Sequence, residues 1–376
     1  MKAAAREIFR STQARARSTA VPLIRAAGQR ASSARPGYPP RAVVSFLCAL
    51  LASAFVAGCG GAGSDTEVRI PLGAGGIGFL PLYMMREHGL VEKHARAAGL
   101  SELTVRWIDL GGPSVMNDAL LSGTVDFIAA GPPAFLTLWD RTRESSRVQG
   151  VAAIASLPMY LNTRAEHLDS LEDLTDRDRI AVTAVNVSIP ALIMQMYARE
   201  RYGDEEVARF DRYTAMMTHP DGVVALLTDS GGITAHFTSP PFHHREIQEP
   251  GVRTIMRSDD VMGGSTTFTM MSTTAEFRER RPDAYKAVLA ALEEAVTVIR
   301  DDPQDAAAVL AAAGGGAGFS ESELAEILSD PAIRFTTTPE NVMRYAEFMW
   351  SVGSISNRPD SWQDLFFPEI HGASGS

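Results

Sequence analysis

Short apolar runs alternate with segments of helical periodicity from Val68 onward. The runs that read as strands are Val68–Leu72, Leu103–Ile108, Val125–Ala129, Val148–Ile154, Met159–Asn162, Ile180–Thr183, Gly232–Phe237, Val252–Met256 and Thr267–Ser272. Helices are predicted between them at Leu82–Glu92, Ser114–Leu121, Pro133–Asp140, Pro190–Tyr202, Asp221–Leu227 and Phe242–Gln248. Strands separated by helices of this length form βαβ units, so the pattern predicts an α/β fold with mostly parallel sheets. After Thr274 the pattern is nearly all helical, with helices predicted at Ala284–Arg300, Pro303–Ala312, Glu321–Leu328 and Pro339–Val352.

A faint internal repeat relates residues 119–135 to residues 225–242. Each copy reads as a helix end, a glycine turn, a buried strand and a Pro-Pro pair that starts the next helix. Chance similarity of two βαβ segments is the alternative interpretation. If the repeat is real, two lobes share one plan, and their strand ends face each other across a cleft in which a ligand binds.

The N-terminal residues 1–58 resemble a secretory signal rather than part of a fold. They carry nine Lys and Arg residues against one acid, Glu7, and then an uncharged apolar run from Ala42 to Ala57. That run is shorter than the roughly 20 residues of a spanning helix. Small residues follow it, as at a signal-peptidase site. Export of the remaining chain is therefore expected.

The residues Val56-Ala57-Gly58-Cys59 resemble a bacterial lipobox, in which the cysteine is lipidated and becomes the new N-terminus. A plain signal peptide with a chance cysteine is the alternative. The glycine-rich stretch 59–65 then serves as a flexible tether. These features predict a protein of the periplasm or cell envelope that is held to the membrane only by a lipid on Cys59.

Charge and cysteine content exclude several classes of function. The whole chain has a net charge of −10, and removal of the basic residues 1–58 makes the remainder more acidic. Such a charge disfavours nucleic acid and anionic membrane surfaces as partners. Of the two cysteines, Cys48 would leave with the signal, so neither a disulfide nor a cysteine-based metal site is expected in the mature chain.

The glycine-rich segment from Gly73 to Pro81 follows a predicted strand and opens a helix, where free backbone N–H groups can hold a small polar or anionic group. Its letters match the dinucleotide fingerprint Gly-x-Gly-x-x-Gly. That fingerprint expects an acid about 20 residues later, at the end of the next strand. The corresponding position falls at Ala97-Ala98, and the acid that closes the next strand, Asp109, comes late. A nucleotide site is therefore disfavoured, and no cofactor is predicted.

Motifs of common hydrolases, such as His-Glu-x-x-His and Gly-x-Ser-x-Gly, do not occur in the sequence. His236, His243 and His244 cluster after a predicted strand, but without a partner cysteine this spacing is weak evidence for zinc. No convincing nucleophile and base pair is present. The sequence therefore predicts a binding protein rather than an enzyme, with no metal site.

Small and polar residues gather instead at the predicted strand ends. Ser114, Ser188 and Thr218 precede helical segments as N-caps would, and several helix N-termini aimed at one cleft favour an anion. Phe79, Met159 and Phe237 are candidate apolar walls. The predicted ligand-binding residues are Gly76, Ile77, Gly78, Phe79, Gly112, Ser114, Gly131, Pro132, Met159, Thr183, Asn186, Ser188, His219, His236 and Phe237.

Three segments together resemble a family of substrate-binding proteins of ABC transporters, those for sulfonates, nitrate, taurine and thiamine precursors. Residues 75–93 are similar to the family's pattern P-L-Y-x-A-x-E-x-G-L-F-x-K, and residues 119–127 to A-L-x-S-G-x-V-D. Residues 168–180 resemble S-x-x-D-L-K-G-K-x-I-x-V, although Thr175-Asp176-Arg177 replaces the expected Gly-Lys. The resemblance covers most of residues 66–300.

This resemblance implies a type II periplasmic binding protein fold, with two α/β lobes, two crossings between them and a hinge that closes on ligand. Lobe 1 would comprise residues 66–165 and 265–376, and lobe 2 residues 166–264. The implied function is capture of a small organic solute, such as a sulfonate, nitrate, taurine or a pyrimidine-like compound. A monomer would deliver the solute to an ABC permease and, through it, an ATPase. The alternative is a secreted enzyme on the same fold, such as a pyrimidine-precursor synthase or a hydrolase.

Overall fold

The structure, a computed structural model, describes residues 66–73, 75–110, 112–185 and 188–376. Its strands are β1 Glu67–Pro71, β2 Thr104–Ile108, β3 Phe127–Ala130, β4 Val148–Ser156, β5 Tyr160–Thr163, β6 Ile180–Val182, β7 Thr214–Met216, β8 Ala235–Thr238, β9 Arg253–Arg257, β10 Thr267–Thr274 and β11 Arg334–Phe335. Its α-helices are α1 Leu80–Glu87, α2 Leu90–Ala97, α3 Pro113–Leu121, α4 Pro132–Thr142, α5 Ile189–Tyr202, α6 His219–Leu227, α7 Phe242–Ile247, α8 Ser258–Met262, α9 Ala275–Arg280, α10 Pro282–Asp301, α11 Pro303–Ala312, α12 Glu321–Leu328 and α13 Val342–Ser351. None of the helices in these ranges is long and apolar enough to cross a membrane.

All nine predicted strands are present, with small shifts at their ends, whereas the short strands β7 and β11 were not predicted. The single helix predicted for Leu82–Glu92 is two helices. Gly89 adopts a left-handed conformation with φ of 55°, which ends α1 and lets α2 begin at Leu90. Glycine is the residue that reaches this region without a steric penalty.

The strands form three sheets. The expectation that these sheets are mostly parallel is wrong. A two-stranded ladder joins β1 and β2 in parallel, a four-stranded sheet has the order β11-β4-β10-β3, and a five-stranded sheet has the order β7-β6-β8-β5-β9. Five of the eight pairings are antiparallel. The reason is that β10 returns late in the chain to lie between β3 and β4, and β5 lies antiparallel to both its neighbours.

Arg69 and Asp126 join β1 to the start of β3. The backbone N–H of Arg69 donates to Asp126 Oδ2 at 2.7 Å, and its guanidinium donates to both carboxylate oxygens, at 3.1 Å from Nε and 2.7 Å from Nη2. The backbone N–H of Asp126 donates in return to the carbonyl of Arg69. The aspartate of the S-G-x-V-D segment therefore has a structural part, because it links the two-stranded sheet to the four-stranded sheet.

Asp126→Ala is expected to lower the free energy of unfolding by about 1.5 kcal/mol, because it removes charge-assisted hydrogen bonds from a partly buried site. Urea unfolding measures this change. Glu276→Ala is the control, since Glu276 pairs with Arg280 at an exposed surface and should contribute at most about 0.5 kcal/mol. Equal unfolding midpoints for the two variants would contradict the structural part assigned to Asp126.

Two segments connect the four-stranded sheet to the five-stranded sheet. One runs from β4 to β5 through Met159, and the other runs from β9 through α8 to β10. They are hydrogen-bonded to each other, because the Met159 N–H donates to Ser258 Oγ at 2.9 Å and the Ser258 N–H donates to the Met159 carbonyl at 2.9 Å. Strand β5 belongs to the five-stranded sheet although it lies before residue 166, and the exact lobe boundaries stay a prediction.

Candidate functional site

A cavity of about 1060 Å³ lies where the two larger sheets approach each other. On one side it is lined by the end of β3 and by Phe268 and Thr269 of β10, and on the other by residues that follow β6 and β7. Met159, from the crossing between the sheets, also lines it. The first turns of four helices, α3 to α6, contribute further parts of the wall, as do the turn after β1 and helix α1.

Eight of the predicted site residues line this cavity: Phe79, Gly112, Ser114, Gly131, Met159, Thr183, Ser188 and His219. Six others do not line it, namely Gly76, Ile77, Gly78, Pro132, His236 and Phe237. Ile77 and Phe237 are fully buried in the core, and Gly76 packs against the ring of Phe242. Asn186 and Cys59 lie outside the described residues. Whether the lining residues contact a solute stays a prediction.

The glycine-rich turn holds two aromatic rings in place. A methyl group at Gly73 would lie 2.1 Å from the ring of Phe79, and one at Gly78 would lie 2.2 Å from the ring of Phe268. Both distances are far below van der Waals contact, so only glycine leaves room for these rings. Gly75, by contrast, has no atom within 4 Å of such a methyl group and lines the cavity itself. The turn therefore shapes the wall mainly through Phe79 and Phe268.

The helix N-termini meet at the cavity, as the sequence predicts, but they offer few donors. Ser188 and Thr218 use their hydroxyls as N-caps, accepting from the N–H groups of Ala191 and Asp221. Ser114 is not a cap, because the N-cap of α3 is Gly112. Each of the four helices also has proline in its first turn, which removes an N–H that would otherwise face the cavity.

Behind the cavity, His219 begins a buried chain of hydrogen bonds. His219 Nδ1 lies 3.1 Å from His236 Nε2, and His236 Nδ1 lies 2.5 Å from Glu246 Oε1. The other oxygen of Glu246 accepts from Asn162 Nδ2 at 2.8 Å, and Asn162 in turn contacts His243. His236 and Glu246 are 1% and 0% exposed, so the predicted position of His236 at the cleft surface is wrong. It supports His219 from within the core.

Burial lowers the pKa of His219 to about 3, and the neighbouring His236 contributes in the same direction. A histidine with a depressed pKa in the folded state stays neutral there while the unfolded chain takes up a proton below its ordinary pKa of about 6.5. Stability therefore falls as the pH drops from about 6.5 toward 3.

His219→Gln is expected to make the free energy of unfolding less dependent on pH between pH 6 and pH 4, by about 1.4 kcal/mol per pH unit. Urea unfolding at a series of pH values measures this slope. An unchanged slope in the variant would show that His219 has the same pKa in the folded protein and in the unfolded chain.

Several cavity-lining residues were not predicted from the sequence: Tyr83, Arg86, Met216, Phe268 and Thr269. Burial raises the pKa of Tyr83 to about 12, and Arg86 and Asp109 act on it with opposite signs, so both charges lie near the same phenol. Val115 and Met216, also in the lining, are 51% and 71% exposed, which makes the rim of the cavity apolar. Within the described ranges, no group of His, Cys, Asp and Glu side chains is arranged to hold a metal ion.

Two sheets joined by paired crossings, with a cavity at their junction, define a periplasmic binding protein fold of type II. Solved structures agree with this assignment. The periplasmic aliphatic sulfonate-binding protein SsuA from Escherichia coli is 16% identical, with 80% of this chain and 92% of that one covered and a TM-score of 0.57. The alkanesulfonate-binding protein SsuA from Xanthomonas axonopodis pv. citri, bound to MOPS, is 13% identical, with coverage of 78% and 95% and a TM-score of 0.59.

A Candida albicans protein with the generic periplasmic binding protein fold is also similar, at 12% identity, coverage of 80% and 95% and a TM-score of 0.59. No family model and no curated protein sequence matches the chain. At these identities the likeness concerns the fold, and it confirms at that level the resemblance seen in the sequence.

Proposed function

We propose that the chain is the extracytoplasmic solute-binding component of an ABC importer, and that it captures a small organic solute between two lobes. The observation that carries the proposal is the cavity of about 1060 Å³, lined from both sheets and bordered by the crossing residue Met159. A volume of this order suits a small molecule. The similarity to sulfonate-binding proteins supports the same function.

The connections between the sheets support capture by closure. The chain passes between the four-stranded and five-stranded sheets at the two crossings, which lie near the boundaries of the lobes we propose, residues 66–165 with 265–376 and residues 166–264. Strand β5 would move with the second lobe, because it pairs with β8 and β9. Rotation about the hydrogen-bonded pair Met159 and Ser258 would open or close the cavity without breaking either sheet. In this proposal a monomer in the periplasm delivers the solute to a permease. The permease in turn connects the protein to an ATPase.

We further propose a lipid anchor at Cys59, based on the lipobox-like residues 56–59. In a bacterial host, Cys59→Ser should move the protein from the membrane fraction to the soluble fraction of the cell envelope. The reason is that the lipid on Cys59 alone holds the proposed protein to the membrane. A variant that stays with the membrane would contradict the anchor and leave the binding function untouched.

A thermal-shift screen of the full chain with sulfonates, nitrate, aromatic carboxylates and pyrimidines tests the binding function. A bound solute raises the melting temperature by mass action. The solute is then recovered and analysed, and it should be chemically unchanged. A solute that is converted while none is bound would favour the alternative of a secreted enzyme on this fold.

A further inference from the structure

We propose that the cavity binds an uncharged solute with a flat apolar ring, which packs against Phe79 and Phe268 while its polar group hydrogen-bonds to Thr269. The proposal rests on the proposed function and narrows its solute class. Three independent features of the described residues support it: an unpartnered hydroxyl, a pair of fixed aromatic rings and the balance of charge around the cavity.

The hydroxyl of Thr269 is buried and has no hydrogen-bond partner within the described chain. Thr269 is 1% exposed and lines the cavity. Other buried side-chain atoms in these ranges also lack a partner, but none of their residues lines this cavity. A buried hydroxyl without a partner is unfavourable. A solute with a donor or an acceptor at this position would remove the deficit.

Phe268 lies beside this hydroxyl, and Phe79 is the other phenylalanine in the described lining of the cavity. A methyl group added to Gly78 would lie 2.2 Å from the Phe268 ring and 3.1 Å from Thr269 Oγ1. The ring and the hydroxyl are therefore neighbours. Phe79 is 8% exposed and packed over Gly73, which leaves its ring little freedom to move. Fixed aromatic faces favour a flat ring in offset or edge-to-face contact.

The charge around the cavity does not favour an anion. Among the described residues of the lining, the charged side chains are Arg86, Asp109 and Asp221, so acids outnumber the single base. Arg86 and Asp109 lie near the same phenol and offset each other. The helix N-termini attract negative charge, but their prolines and capping hydroxyls leave few N–H groups for a solute. An uncharged solute needs no counterion here.

Equilibrium binding of matched probes to the full chain tests the proposal. The uncharged probes are benzamide, cytosine and indole, and the anionic counterparts are benzoate and benzenesulfonate, with nitrate and taurine as small polar probes. Benzamide should bind at least about ten-fold more tightly than benzoate or benzenesulfonate, which carry the same ring.

Variants in β10 then locate the contact. Phe268→Leu should weaken ring probes by roughly five- to ten-fold, because it removes the aromatic face but keeps an apolar side chain. Thr269→Val should weaken them by about five-fold, since it removes only the hydroxyl. Ser272→Ala is the matched control: it also deletes a buried, unpartnered hydroxyl on β10, but Ser272 does not line the cavity, and the affinity should not change.

The proposal would be overturned if benzenesulfonate, nitrate or taurine bound more tightly than all of the uncharged ring probes. That result would leave the solute-binding function standing. Equal affinities for wild type, Phe268→Leu and Thr269→Val would overturn it as well. If no probe of any class binds, the proposed function fails together with it.

Discussion

Glu246→Ala is expected to destabilise the fold by about 3 kcal/mol, one of the largest effects of a single substitution in this chain. Glu246 is 0% exposed and accepts hydrogen bonds from two buried groups, His236 and Asn162. Removing its carboxylate takes the hydrogen-bond acceptor from His236 Nδ1 and one of the two partners from Asn162 Nδ2, whose other contact is His243, in a region that water does not reach. Urea unfolding of the full chain measures the change through the transition midpoint.

Glu249→Ala is the control for this experiment. Glu249 lies three residues further along, is exposed at the surface, and should change the free energy of unfolding by less than about 0.5 kcal/mol. A Glu246→Ala variant as stable as Glu249→Ala would mean that the buried hydrogen-bond chain behind the cavity contributes nothing to the fold.

Gly78→Ala should lower the free energy of unfolding by about 2 to 3 kcal/mol and displace the ring of Phe268 from the cavity wall. The added methyl group would lie 2.2 Å from that ring, and overpacking of this kind forces side chains and backbone to shift. Gly112→Ala is the matched control for stability. Gly112 lines the cavity, whereas Gly78 lies behind its wall; Gly112 has φ of −69° and open space around its added methyl group.

Unfolding curves of the two glycine variants separate these expectations. Gly112→Ala should unfold at the wild-type midpoint, and Gly78→Ala should unfold well before it. If both behave like wild type, the Phe268 ring is free to move, and the fixed aromatic wall assigned to the turn is wrong.

Much of the fold is predictable because the relevant signals are local. The apolar run Val148–Ile154 and the helix Pro303–Ala312 carry their own periodicity and breakers, and both occur in the structure. Strand pairing is not local. The position of β10 between β3 and β4 depends on contacts between residues more than 100 positions apart. The alternation of strands and helices does not indicate which strands pair or whether they run parallel or antiparallel. The short strand β7 lacks a pattern of its own.

The candidate site was only half predictable, for a related reason. Residues at strand ends, such as Gly112, Thr183 and Ser188, were found because a general rule places ligands there. Phe268 and Thr269 lie near the start of a strand of ordinary appearance, and they reach the cavity because β10 follows the second crossing and enters the four-stranded sheet between β3 and β4. Glu246 supports His236 through contacts within the five-stranded region, and nothing in its helix marks it as buried.

Isothermal titration calorimetry on variants that fill the cavity from both sides tests the central claim, that a solute binds between the two sheets. Ser114→Trp fills it from α3 and Met217→Trp from the segment after β7, whereas Val224→Trp places the same side chain on an exposed face of α6 outside the lining. With the tightest solute from the screen, both cavity variants should lose more than about ten-fold in affinity, and Val224→Trp should lose none. Wild-type affinity in both cavity variants would contradict the claim.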